Sequence, residues 1–286
     1  MAGSHGAAGA LEGVLDVGSV VPGAVCHRGV TYAARQGYRP LLMDVYVPVR
    51  SAPPVACVLW IHGGAWLEGD RRSLPYNWPE GLFFRSLVEA GLAVATVDYR
   101  LSGEARWPAQ LDDVGDALRF LRERADDFGV DPTRIAVAGE SAGGHLAAML
   151  AVAPQGPPLR AAALLYGVMD LLDFEGQVTP VTDPRKAPEA LLIGAPADEA
   201  PEEFAAASPI THVHAQVPPT LLIAGELDQM VPSRQSVRMH EALVAAGAPD
   251  VTLDLVPGAD HCFGGADPVG PLQRVVGFLA DRLQAG

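Results

Sequence analysis

A chain of 286 residues, 49% apolar and 19% charged, carries enough apolar surface to bury a large core, which excludes a disordered chain. Its formal net charge of −14 repels phosphate backbones and anionic lipid surfaces, so neither nucleic acid nor a membrane surface is expected as a partner. Asp, Arg, Gly or Pro interrupts every apolar stretch before the ~18 residues of a membrane span, and Cys26, Cys57 and Cys262 are too few and too scattered for a disulfide framework or a metal cluster.

The first residues, "MAGSHGAAGALEGVLDVG", place Glu12 and Asp16 where a secretory leader would be apolar. Residues 1–35 are therefore read as an N-terminal arm of a cytoplasmic protein, one that could join a cap, and residues 36–286 as a single α/β domain. "GVTYAA" and "LLMDVYVP" are expected to pair as an early hairpin. After them the β-forming runs become continuously apolar: "VACVLWIHG", "LAVATVDY", "RIAVAG", "AAALLYG", "TLLIAG" and "VTLDLVPG". Strands of that kind belong to a parallel sheet covered on both faces.

Helical spacing fills the intervals: "EGLFFRSLVEAG", "AQLDDVGDALRFLRERADDFG", "SAGGHLAAMLA", "SRQSVRMHEALVAAG" and "PLQRVVGFLADRLQ". In the second, Leu111, Val114, Leu118 and Leu121 form an apolar stripe and Gly129 is a natural stop. The alternation predicts an α/β fold of about eight mostly parallel strands with helices on both faces. Functional groups in such sheets gather at the carboxyl ends of the strands. One stretch, at about 170–208, is too long for a plain connection. Its "APEALLIG" and "PEEFAAAS" carry apolar anchors for short helices, so a small cap is expected there.

"GESAGG" at 139–144 follows the strand run "RIAVA" and leads straight into a helical run. Gly139 and Gly143 lack the Cβ atoms that would block a tight strand-to-helix turn, so Ser141 is presented at its tip as a nucleophile. A serine hydroxyl needs a base, and His261, just beyond the last predicted strand, is delivered to the same edge of the sheet. The imidazole needs an acid; Asp228, ending "TLLIAGELD", is favoured over Glu226, Asp254 and Asp260. An oxyanion needs main-chain N–H groups, which "HGGAW" can supply from Gly64 and Ala65, with Gly63 an alternative, together with Ala142 beside the nucleophile. Trp66 and Glu140 are assigned to the substrate pocket, although packing suits Trp66 equally well. His62 is expected to brace the loop.

The segments "HGGAW", "VDYRL", "DPTRIAVAGESAGGHLAA", "GELDQMVP" and "GADHCF", in that order from about residue 40 onward, resemble those of α/β-hydrolases, specifically the hormone-sensitive-lipase-like esterases. The resemblance implies an α/β-hydrolase fold, a Ser141–Asp228–His261 triad, and an oxyanion hole shared by the "GESAGG" turn and the "HGG" loop. It also implies that Asp98, Arg100, Asp112, Asp113 and Asp131 serve internal pairing. Ala65 stands where that group most often has a third glycine, and "HGG-x-W" is similar to the loop of kynurenine-formamidase-like enzymes.

The expected activity is hydrolysis of small carboxylic esters through an acyl-enzyme, by a monomer or homodimer that uses no metal or organic cofactor. An arylformamidase or amidase is the alternative. A third possibility is a silent ligand-binding scaffold; hormone receptors that resemble this group have lost the catalytic histidine, whereas His261 is present here.

Overall fold

A computed structural model describes residues 21–153, 158–174 and 183–284. Among the described residues eight strands form one sheet: β1 (Ala24–Ala33), β2 (Leu41–Pro48), β3 (Val55–Ile61), β4 (Ala93–Val97), β5 (Val130–Glu140), β6 (Ala162–Leu165), β7 (Thr220–Gly225) and β8 (Val251–Val256). Their spatial order is β1-β2-β4-β3-β5-β6-β7-β8. β2 pairs antiparallel with both β1 and β4, and every later pairing is parallel.

The central apolar runs read as strands because neither face of β3, β4, β6 or β7 meets water. In β3, Cys57, Leu59 and Ile61 enter one core layer while Ala56, Val58 and Trp60 enter the other. Against the first layer pack α2 (Ala109–Glu123), through Val114, Ala117, Leu118 and Leu121, together with α3 (Ala125–Phe128), α4 (Ala142–Ala151) and α7 (Arg234–Ala245). Against the second lie α1 (Leu82–Glu89) and α8 (Val269–Gln284), with Phe83, Phe84, Leu272 and Val275 buried. The remaining helices, α5 (Pro188–Ile193) and α6 (Pro201–Ala206), fall within the two apolar anchors of the 170–208 stretch. Both are opened by proline at the first helical position, where its missing N–H is no loss. Residues 175–182, near the start of that stretch, lie outside the described residues.

Two sequence expectations shift. The sequence places an arm at 1–35, but β1 begins at Ala24 and Val21 is already buried, so a boundary at 36 would separate β1 from its sheet. The cause is exposure: β1 lies at the sheet edge with exposed and half-buried residues, and His27 and Arg28 interrupt its first half, so it lacks the apolar run that marks the later strands. The long helical run 109–129 divides at Arg124, where φ is −112°, into α2 and α3. The turn after α3 then closes on Gly129, in the left-handed region, as predicted.

Most charges assigned to internal pairing are paired. Arg100 grips the buried Asp113 with two parallel bonds of 2.8 Å, Nε to Oδ2 and Nη2 to Oδ1. Asp98 receives Arg71 and Arg39. Asp131 accepts from Thr133 and Arg134, which pull its carboxyl down to about 2. Asp112 instead occupies the first turn of α2. Among the described residues no helix is long and apolar enough to cross a membrane, and no group of three His, Cys, Asp or Glu side chains is arranged to hold a metal ion.

Candidate active site

β5 ends at Glu140 and α4 begins at Ala142, leaving Ser141 alone at the turn with φ 52° and ψ −119°. That conformation is costly for a residue with a Cβ, and its neighbours show how it is enforced. A Cβ on Gly139 would strike the Gly143 carbonyl, and one on Gly143 would strike the carbonyls of Ile61 and His62. Ser141 N–H is fixed by the Leu165 carbonyl at 2.9 Å on the neighbouring strand β6. The main chain of α4 can therefore press against the end of β3 only through glycine.

His261 reaches this turn from the loop after β8. Its Nδ1–H donates to Asp228 Oδ2 at 2.7 Å, which leaves Nε2 unprotonated to accept the Ser141 hydroxyl at 3.1 Å. Asp228 is buried, and its other oxygen accepts the N–H groups of Met230 (2.9 Å) and Val231 (2.8 Å), so the carboxylate cannot rotate away. The rivals for the acid are engaged elsewhere. Asp260 Oδ1 accepts the N–H of His261 and of Gln229, Asp254 pairs with Arg274, and Glu226 is exposed.

The loop after β3 runs through three consecutive left-handed residues, Gly64 (φ 97°), Ala65 (φ 54°) and Trp66 (φ 58°). Among the described residues the N–H groups of Gly64, Ala65 and Ala142 make no hydrogen bond. Gly63, offered as an alternative donor, is not free: its N–H donates to Glu140 Oε1 at 2.8 Å. The same contact corrects the assignment of Glu140 to the pocket. Its carboxyl is buried beneath the loop, where burial raises it above its ordinary value against the opposing pull of His261 and the Gly63 N–H. Direct strand-to-strand adjacency at the ends of β3 and β5 brings the two together, a pairing no sequence spacing announces.

Of the two roles left open for Trp66, packing is the one observed. The ring is 1% exposed and its indole N–H donates to His145 Nδ1 at 3.2 Å. His145 Nε2–H in turn donates to the Ala207 carbonyl, just past α6, at 2.7 Å. Both ring nitrogens are thus used in the neutral form, and complete burial lowers the imidazole to about 4. His62 braces the loop as expected: Nδ1–H donates to the Gly63 carbonyl at 2.8 Å, the ring stacks on Tyr99 at 4.3 Å, and burial lowers its basicity. Sequence reasoning missed Tyr166, whose buried ring meets His261 edge-on at 4.9 Å, and a pair of donors, Asn77 and Trp78, that converge on the Cys262 carbonyl.

The family model described as BD-FAE matches residues 43–243, which contain the Ser141 turn, the glycine loop and Asp228. The chain belongs to the BD-FAE family. The chain is also similar to proteins named as esterases. Esterase LipQ of Mycobacterium tuberculosis is 35% identical across 79% of this chain and 55% of its own length. Esterase LipC of the same organism is 30% identical across 92% of this chain and 68% of its own. The chain thus spans about half to two thirds of the length of these curated relatives. Among solved structures, a truncated carbohydrate esterase from gut microbiota superposes with a TM-score of 0.80 at 27% identity, covering 91% of this chain and 96% of that one. For a BD-FAE chain, the α/β-hydrolase fold and the esterase-group resemblance read from the glycine motifs are both borne out.

Proposed function

We propose that this protein hydrolyses carboxylic esters of small substrates through an acyl-enzyme, with Ser141 as nucleophile, His261 as general base and Asp228 as the acid that orients it. One observation carries the reading: an unbroken hydrogen-bonded line from the Ser141 hydroxyl through the imidazole to a buried, anchored carboxylate. Ser141 attacks the ester carbonyl as Nε2 takes its proton. The negative charge that forms on the carbonyl oxygen is received by the N–H groups of Gly64, Ala65 and Ala142. The imidazolium protonates the departing alcohol, and water, deprotonated by the same nitrogen, releases the acid. Side chains and main-chain N–H groups perform every step, so no cofactor enters the reaction.

Glu140 adds a second carboxyl beside the imidazolium and holds the donor loop through Gly63. The stretch 183–208 acts as the cap over the site, joined to the glycine loop through Ala207, His145 and Trp66. The esterase names of LipQ, LipC and the gut carbohydrate esterase support ester rather than amide or formamide bonds as the target. The test is Ser141→Ala, assayed on p-nitrophenyl butyrate with circular dichroism as a check on folding. Turnover should vanish while the fold persists, and the wild type should be labelled by a fluorophosphonate at Ser141. A folded Ser141→Ala enzyme that keeps its rate would end the proposal.

A further inference from the structure

The loop that carries His261 is held in an uncomfortable shape. Cys262 (φ 55°) and Phe263 (φ 63°) are consecutive non-glycine residues in the left-handed region. Asp260 secures its near side by accepting the His261 N–H at 2.7 Å. The far side is secured from a distant part of the chain: the Cys262 carbonyl accepts Asn77 Nδ2–H at 2.8 Å and Trp78 Nε1–H at 3.1 Å. Asn77 stays there although its Oδ1 is buried with no hydrogen-bond partner among the described residues, an arrangement that packing alone would not select.

Trp78 makes a second connection. Its indole stacks on Phe263 (6.3 Å, 9° between planes), Phe263 meets Tyr166 edge-on at 5.1 Å, and Tyr166 meets the His261 ring. The segment bearing Asn77 and Trp78 continues from the glycine loop and is itself pinned by Arg71, which donates to the buried carboxylates of Asp44 (2.9 Å) and Asp98 (3.1 Å). The reach from His261 Nε2 to Ser141 is 3.1 Å, so a drift of a few tenths of an ångström in the loop loosens the proton-transfer contact.

We propose that Asn77 and Trp78 are positioning residues that set the reach of His261, and that segment 62–81 ties the oxyanion-binding N–H groups and the base into one unit. This rests on the reading of His261 as base. Neither residue touches the reacting atoms; both act through the main chain of Cys262.

The test compares Asn77→Leu, which keeps the volume, and Trp78→Phe, which keeps a ring on Phe263 but loses the N–H, with their double variant. Tyr76→Ala, at a side chain 99% exposed in the same loop, is the control. Steady-state hydrolysis of p-nitrophenyl butyrate is read alongside the low-field proton resonance of His261 Nδ1–H and the melting temperature. Each single variant should lower kcat about tenfold and the double more, with KM within about twofold, a displaced or broadened resonance and little change in melting. Tyr76→Ala should match the wild type. Asn77→Ser replaces the leucine variant if that one fails to fold. Folded variants with wild-type kcat, or a lower kcat with an unmoved resonance, overturn the proposal. Ser141→Ala in the same assay separates the two readings: its inactivity beside fully active Asn77 and Trp78 variants removes only the positioning role.

Discussion

Mild acid should expose what it takes to bury His145. Its ring is fully enclosed, with Nδ1 accepting from the Trp66 indole and Nε2–H donating to Ala207, and burial lowers it from 6.5 to about 4. Protonation would place a hydrogen on Nδ1 facing the indole N–H, donor against donor. Between about pH 6.5 and pH 4 the unfolded chain holds this proton and the folded chain does not, so stability falls as pH is lowered through that window; below it both states are protonated and the loss stops. At about 1.4 kcal/mol per pH unit, the loss across the window is about 3 kcal/mol. Glu140 acts in the opposite sense: burial raises its carboxyl, so the folded state takes up that proton first and gains stability as pH falls. A single acid titration would mix the two. The assay is therefore a difference, urea unfolding of the wild type and of His145→Gln from pH 7 to pH 4. Glutamine does not titrate, so the advantage of the wild type should shrink by about 3 kcal/mol over that range. Stability curves that run parallel would refute the account of a neutral, doubly bonded imidazole.

Asp228→Asn should lower kcat by about four orders of magnitude with the fold intact, because an amide facing Nδ1 favours the tautomer that carries its hydrogen on Nε2; steady-state kinetics and circular dichroism check both halves. Glu140→Gln keeps an acceptor for the Gly63 N–H but removes the charge beside the imidazolium, so kcat should fall about tenfold with KM nearly unchanged. Gly143→Ala drives a methyl group into the Ile61 and His62 carbonyls and should destabilise the protein by about 3 kcal/mol or more, read by denaturant unfolding.

What could be read from the sequence, and what could not, follows from the range over which each signal acts. The central strands β3, β4, β6 and β7 are legible because strands buried on both faces must be apolar throughout, and the turn at Ser141 because only glycine fits where α4 meets the end of β3. β1 was half-read, since its first residues lie at a partly exposed edge. The placement of Asp228 and His261 followed from strand order alone. Which N–H groups of the glycine loop are free did not, because Gly63 is claimed by a carboxylate 77 positions away. Trp66, Asn77 and Trp78 were invisible or ambiguous for the same reason: their partners are His145 and a single carbonyl at Cys262, contacts created by the fold and not by periodicity.

Those long-range contacts share a feature that bears on how the site works. The segment from the glycine loop to Arg71 is fixed from three sides, through Gly63 to Glu140 at the end of β5, through Trp66 to His145 on α4, and through Arg71 to Asp44 on β2 and Asp98 just past β4. Each of Ala65, Trp66, Ser141, Cys262 and Phe263 adopts a left-handed conformation that would relax in isolation. With Tyr166 (φ 38°), they lie in the glycine loop, at the Ser141 turn, after β6 and in the loop of His261, and the bonds that hold these segments come from side chains one step removed. A substitution at Asn77 or Trp78 should alter the rate before it alters the overall fold, since neither residue belongs to the sheet.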